Sequence, residues 1–210
     1  ISLHIGSFFA VVVYFRKDIL NFFINKDLLL KILLSSIPVM IVGYFLIIFN
    51  LIDHLRNIKI IGWTTLIFGI LLYISDKFEI TNKVEDNFTY KSAIIIGLFQ
   101  ILSLIPGVSR SGITITAARI LKFQRFDSAK ISFLLSLPTL SAVTLFGFKN
   151  VIEKGNIDFS IINLVSISLS FFFSLITIKY FLKYIKNFSL NIFVFYRVIL
   201  GIILIIFAYL

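Results

Sequence analysis

The residues of this chain best suited to chemistry lie in one stretch, Pro106-Gly107-Val108-Ser109-Arg110-Ser111-Gly112-Ile113-Thr114. Arg110 stands inside an apolar segment, where a cation is costly unless paired or wet, which makes it a functional candidate by default. Its neighbours indicate the partner. Two glycines allow close approach to the backbone, and Ser109, Ser111 and Thr114 offer hydroxyl donors. A half-helix starting near Gly112 presents free N–H groups and a positive dipole end. A planar guanidinium among neutral donors suits phosphate oxygens. The stretch reads as an anion trap for a phosphate or diphosphate held at the membrane. The simpler reading is a tight Pro-Gly turn with Arg110 snorkelling to the interface. Against it, Arg110 is some ten residues from the nearest charged loop on either side.

Other candidates carry less. Gln100 needs a partner at depth, either a site contact or a helix-packing hydrogen bond. Arg197, about six residues into the last apolar stretch and next to Tyr196, reads as a snorkelling arginine. His4 reads as an interhelical hydrogen-bonding residue, and His54 has no assigned role. Lys179, Lys183 and Lys186 share a helical spacing that suits a solvated or lipid-headgroup face. Pro38 and Pro138 are tolerated in membrane helices, and packing accounts for them. Every Asp and Glu falls in a loop or at the end of an apolar stretch, so the chain shows an anion-binding half-site without an evident base or metal-holding carboxylate.

The elements that position these residues follow from composition. Of 210 residues, 59% are hydrophobic and 14% charged, against roughly 25% charged in soluble domains, which excludes a soluble enzyme. The absence of cysteine excludes disulfides, thiolate metal sites and a cysteine nucleophile. The net charge of +10 comes from basic residues lying between apolar runs, so it reads as topology signal and not as a nucleic-acid surface.

Uncharged stretches cover 1–15, 32–52, 60–75, 92–109, 131–148 and 159–178, with a last one from about 188 to 210 interrupted by Arg197. Six read as full spans. The exception is 92–121, where Pro106-Gly107 divides two pieces that are each too short for a hydrocarbon core of roughly 30 Å. If 92–121 crosses once, Lys and Arg divide 9 to 8 between the two sides; if it dips in and returns, they divide 13 to 4. The second pattern is that of a membrane protein with basic cytoplasmic loops. It makes 92–121 a re-entrant hairpin, with 16–31, 76–91, 122–130 and 179–191 cytoplasmic and the C-terminus outside.

An offset of 132 places Gly69 on Gly201 and Ala10-Val11 on Ala142-Val143, with opposite membrane orientation. The fold expected is therefore all-α: a polytopic integral membrane protein with inverted-topology repeats, in which broken helices meet near the midplane. One transmembrane domain, 1–210, divides into a partial first repeat, 1–87, and a second, 88–210, carrying the hairpin. The chain begins at Ile1 inside an apolar run without the features of a signal peptide, and the counterpart of the loop at 106–112 falls before Ile1, so a second hairpin is expected there.

Gly97-Leu98-Phe99-Gln100, the Pro106 to Thr114 motif and Ser132-Phe133-Leu134-Leu135-Ser136-Leu137-Pro138 together resemble the undecaprenyl-diphosphatase family, also called bacitracin-resistance proteins. Leu3 to Ser7, Ala10 to Arg16, and Tyr196-Arg197 with Gly201 extend the likeness over the whole chain. The resemblance implies a bacterial inner-membrane phosphatase that releases phosphate from undecaprenyl diphosphate at the outer face. That reaction recycles the carrier lipid of cell-wall synthesis and confers bacitracin resistance. It implies Arg110, Ser109 and Ser111 as catalytic residues, with Gly107, Gly112, Thr114 and Gln100 binding substrate. It also implies a divalent cation, Mg or Ca, that no residue of this chain evidently ligates; paired glutamates followed by Ser-Ser-Thr-Gly-His are expected before Ile1. On this reading the present chain alone is inactive. The partners implied are the polyprenyl diphosphate and membrane lipids, with no nucleic acid and with a homodimer as a further expectation. The alternative class is a flippase or transporter of an anionic lipid, since broken inverted repeats also suit alternating access; a purely structural subunit leaves Arg110 unexplained.

Overall fold

A computed structural model describes residues 2–22, 26–49, 56–78, 80–153 and 161–210. His54 and parts of the linkers at 50–59 and 149–158 lie outside the described residues. The described chain is helical, in the order α1 (Ser2–Tyr14), α2 (Arg16–Phe22), α3 (Lys26–Ile48), α4 (Ile58–Asp76), α5 (Val84–Asn87), α6 (Tyr90–Ile101), α7 (Arg110–Ile120), α8 (Arg125–Glu153), α9 (Ile161–Asn187) and α10 (Asn191–Tyr209). Five of these are long and apolar enough to cross a membrane: α3, α4, α8 over Arg125–Leu145, α9 and α10. The protein is an all-α, multi-pass membrane protein.

The run at 1–15 is helical over Ser2–Tyr14 and, after a turn at Phe15, continues into α2. Lys179, Lys183 and Lys186, which share a helical spacing, lie within α9.

The interrupted segment folds as expected. Helix α6, 12 residues capped by Thr89, ends in a 3₁₀ turn at Leu102–Leu104; after a loop, α7 runs for 11 residues. At roughly 18 and 16 Å, each covers about half a hydrocarbon core. The chain then returns to the side from which it started. The backbone N–H groups of Thr81 and Asn82 donate to Lys122 O at 3.1 Å, Gln124 N donates to Asn82 O at 3.2 Å, and the Asn82 amide donates to Leu121 O at 2.8 Å. These bonds tie the entrance of the hairpin to its exit.

Helix packing holds the hairpin in place. Gly97 of α6 lies against Ser35 of α3: a Cβ on Gly97 would come within 2.5 Å of Ser35 O and 2.9 Å of its Cα. Helix α7 is buried from Ile113 to Arg119. Helices α4 and α10 lie along one another with a reciprocal contact, a Cβ on Gly69 approaching Val198 and a Cβ on Gly201 approaching Leu66. The offset of 132 relates both pairs, since it carries Gly69 to Gly201 and Leu66 to Val198.

At the far end of α7 a buried carboxylate gathers three elements. Asp76 accepts from Arg125 Nε and Nη2 at 2.7 and 3.0 Å and from Leu190 N at 3.2 Å, with Arg119 Nε 3.5 Å away. Arg119 also donates to the carbonyls of Asp76, Phe78 and Phe123. The last residue of α4, the end of α7, the start of α8 and the start of α10 are thus joined at one point.

Candidate functional site

Ser109 starts α7: its side chain accepts from Gly112 N at 3.2 Å, and its carbonyl accepts from Ile113 N at 2.9 Å. A capped start leaves the first helical N–H groups, those of Arg110 and Ser111, without intrahelical partners. A helix beginning this way carries a positive dipole end and suits an anion.

An anion is repelled by carbonyl oxygens, and here three of the loop's carbonyls are engaged. Ile105 O accepts from Val108 N at 3.1 Å. The shortest contact of the Thr64 hydroxyl is to Pro106 O, 2.6 Å. Gly107 O accepts from Thr65 Oγ1 at 3.3 Å and from Arg197 Nη2 at 2.9 Å. Gly107 has φ +89°, and a Cβ there would strike the Thr64 hydroxyl and lie 2.6 Å from Ile61 O, so glycine is required on both counts. Helix α4 therefore grips the loop through Thr64 and Thr65 at one end while Asp76 holds it at the other.

Arg110 Nη1 donates to Thr139 Oγ1 at 3.0 Å. Among the described residues the ion pairs are Asp27 with Lys31, Asp76 with Arg119 and Arg125, and Asp18 with Lys130; neither Arg110 nor Arg197 belongs to one. Two guanidinium groups thus stand at the loop without a neutralising carboxylate among the described residues.

The sequence-derived residues divide among three cavities. Arg110 and Gln100 share one of about 430 Å³ with Thr139 and Ser103. Arg110 also borders a second, about 440 Å³, with His4, Ser7, Ser136, Ser174 and Thr177. Gly107, Ser109, Ser111 and Gly112 line a third, about 490 Å³, with Arg197. Consecutive helical residues point roughly 100° apart, so Arg110 cannot face the same way as Ser111. Thr114 lines none of the three. Its hydroxyl is buried, 2.7 Å from Ser132 Oγ and 2.9 Å from Arg110 O, and braces the start of the helix.

Gln100 is fully buried, and neither of its amide atoms has a hydrogen-bond partner among the described residues. Each such atom costs about 1–3 kcal/mol when left unsatisfied. Arg197 was read as snorkelling, and the structure corrects this. The residue is 9% exposed and reaches inward to Gly107 O, with Nη1 lying 2.8 Å from where a Cβ on Gly112 would be. Its neighbour Tyr196 takes the exposed face of α10 instead. Sequence reasoning also passed over Thr64, Thr65 and Thr139. One signal was available, because the offset of 132 places Arg197 on Thr65, the loop-gripping threonine.

Replacing Thr64 by valine, which keeps the shape and removes the donor, is expected to raise KM for the anionic substrate roughly fivefold. Thr64→Ser, which keeps the hydroxyl, should stay near the parent value in the same assay.

Residues 1–203 match the family described as bacitracin resistance protein BacA. The chain is 50% identical over 210 residues to an undecaprenyl-diphosphatase of Pelagibacter ubique, an alignment covering 100% of this chain and 82% of that protein. It is 36% identical over 222 residues to one of Jannaschia sp., covering 100% and 83%. With one of Saccharophagus degradans it shares 37% over 214 residues, covering 96% and 80%. A family match from the first residue to the 203rd, carried by a chain with this loop, places the protein in the bacitracin resistance protein BacA family.

Proposed function

We infer that the protein hydrolyses undecaprenyl diphosphate to undecaprenyl phosphate and inorganic phosphate, recycling the lipid carrier of cell-wall synthesis and so conferring bacitracin resistance. The observation that carries this reading is Arg110, a cation without a carboxylate partner among the described residues, at the start of a helix whose preceding loop has the carbonyls of Ile105, Pro106 and Gly107 engaged in hydrogen bonds.

In the reaction one water adds to the terminal phosphorus, the P–O bond to the bridging oxygen breaks, and two monophosphates result. The contribution of this chain is electrostatic. Donors aimed at charge that develops in the transition state act most strongly where water is excluded. In this proposal Arg110 neutralises the phosphate oxygens with Gln100 beside it in the same cavity, while Ser109 and Ser111 offer their hydroxyls to the neighbouring cavity that Gly107 and Gly112 also line, and Ser109 caps the helix start that carries Arg110. Thr114 serves through the helix start. We place the enzyme in the bacterial cytoplasmic membrane with the site open to the outer face, a reading supported by the 13 to 4 division of basic residues. The reciprocal contact of α4 with α10 supports two repeats, 1–87 and 88–210.

A divalent cation belongs to the proposal, but the described residues do not fit one. Hydroxyls and guanidinium groups surround the loop, and among the described residues no group of three His, Asp or Glu is placed to hold a metal ion. Chelation is expected to abolish phosphate release by the full-length protein, and Mg or Ca to restore it; undiminished release in excess chelator would remove the cation from the proposal.

The deciding experiment is phosphate release from undecaprenyl diphosphate by the full-length protein in detergent. Release is expected. Movement of the lipid across vesicle membranes without release would instead favour the flippase reading.

A further inference from the structure

We propose that Thr139 is the positioning residue of Arg110, a neutral acceptor that fixes the guanidinium and leaves its charge whole for the phosphate; this rests on the reading of Arg110 as the cation that meets substrate.

The first argument is which way the Thr139 hydroxyl points. A hydroxyl has a single hydrogen and lone pairs besides. On α8 that hydrogen goes back to the helix, with Leu135 O at 3.1 Å and Ser136 O at 3.2 Å. What Thr139 presents to Arg110 is therefore a lone pair, and Nη1 donates to it at 3.0 Å. The helix backbone fixes the hydroxyl, and the hydroxyl fixes the guanidinium.

The second argument is what this acceptor leaves free. A guanidinium carries several N–H donors in a planar fork that matches phosphate oxygens. Among the described residues, the bond to Thr139 is the sole hydrogen bond of the Arg110 side chain, so the edge formed by Nε and Nη2 is uncommitted. A carboxylate in place of Thr139 would hold the arginine more tightly and cancel its charge. The far end of α7 shows that arrangement: Asp76 holds Arg119 and Arg125 there, and those cations serve the fold.

The third argument is that α8 grips Arg110 at both ends. Ser132 Oγ lies 2.7 Å from Thr114 Oγ1, which donates to Arg110 O at 2.9 Å. Ser132 and Thr139 are about two helical turns apart and so share one face of α8. The base and the tip of a long side chain are thus tied to one rigid element. Ordering of the side chain is completed on folding and is not charged against substrate binding.

The test is a double-mutant cycle on the full-length protein in detergent. It is read as kcat/KM for phosphate release from undecaprenyl diphosphate and as Kd for a polyprenyl methylenediphosphonate, which cannot be cleaved. Thr139→Val is expected to lower kcat/KM roughly tenfold and to weaken analogue binding about fivefold. Thr139→Ser, which keeps the acceptor, should restore both to within about twofold of the parent. In an Arg110→Ala background Thr139→Val should change neither value, because no guanidinium remains to be positioned. An unaffected Thr139→Val, an equal loss in Thr139→Ser, or a loss that persists in the Arg110→Ala background overturns the proposal. Thr139→Ala, which also lacks the acceptor, replaces the valine variant if that one does not fold. Parental activity in Arg110→Ala overturns the reading of Arg110 itself, whereas an inactive Arg110→Ala beside an uncoupled Thr139 overturns the positioning role alone. If the parent binds the analogue and releases no phosphate, hydrolysis is overturned and the coupling in Kd decides for Thr139.

Discussion

Arg110→Ala is expected to lower kcat/KM for undecaprenyl diphosphate roughly 10²- to 10³-fold, the range found when one electrostatic donor is removed from a water-excluded site. The expectation rests on how little else Arg110 does. Its hydrogen bond to Thr139 joins two groups that each tolerate change, because the Thr139 hydroxyl also has Leu135 O and Ser136 O within reach. Removing a half-buried cation that has no ion pair among the described residues should leave the thermal unfolding midpoint in detergent unchanged or higher. A large loss of turnover beside an intact midpoint separates a functional role from a structural one. Arg110→Lys keeps the charge and loses the planar fork, so partial activity is expected. Turnover of Arg110→Ala at the parental level would sink the assignment.

Asp76→Ala is expected to destabilise the protein by about 3–5 kcal/mol, because removing one partner of a buried ion pair strands the other. The Asp76 and Arg119 side chains are 2% and 1% exposed, so the stranded guanidinium has no route to water. Arg125 and Leu190 N lose their acceptor in the same substitution. The measurement is the unfolding midpoint in detergent together with the monodisperse fraction on size exclusion. Asp76→Ala combined with Arg119→Leu should recover part of the loss, since replacing both partners by apolar groups is often near neutral. An unshifted midpoint in the single variant would show that the junction contributes nothing. Activity should fall as well, because α4 holds the loop before α7 at its other end through Thr64 and Thr65.

Much of this fold was legible because the bilayer limits the choices. Apolar runs long enough to cross became α3, α4 and most of α8, α9 and α10, and the Pro106-Gly107 interruption became the break between α6 and α7. A helix start near Gly112, which the structure moves back to Arg110 with Ser109 as its cap, and the return of the hairpin followed from short-range chemistry and from the distribution of lysine and arginine. What was not legible depends on long-range contact. Arg197 lies 90 residues from the carbonyl it binds, and its depth in an apolar stretch fits snorkelling equally well until the packing of α4 against α10 is known. The separation of Arg110 from Ser109 and Ser111 depends on side-chain direction at a helix start, which spacing does not give. Asp76, Arg119 and Arg125 read as ordinary end-of-span charges, and only the fold brings them together.

The seam between α4 and α10 has the form of a contact across a two-fold axis, in which i touches j and the equivalent of j touches the equivalent of i. In a true homodimer every residue near such an axis appears twice, and a cation there would face its own copy. Here α4 and α10 belong to one polypeptide, so the positions facing each other across the seam are free to differ. The backbone keeps the small residue on both sides, Gly69 and Gly201, while the side chains next to the loop diverge into Thr65 and Arg197. Within one chain the guanidinium of Arg197 can be set beside the loop, opposite a neutral Thr65, without the repulsion that a rotated copy of itself would bring.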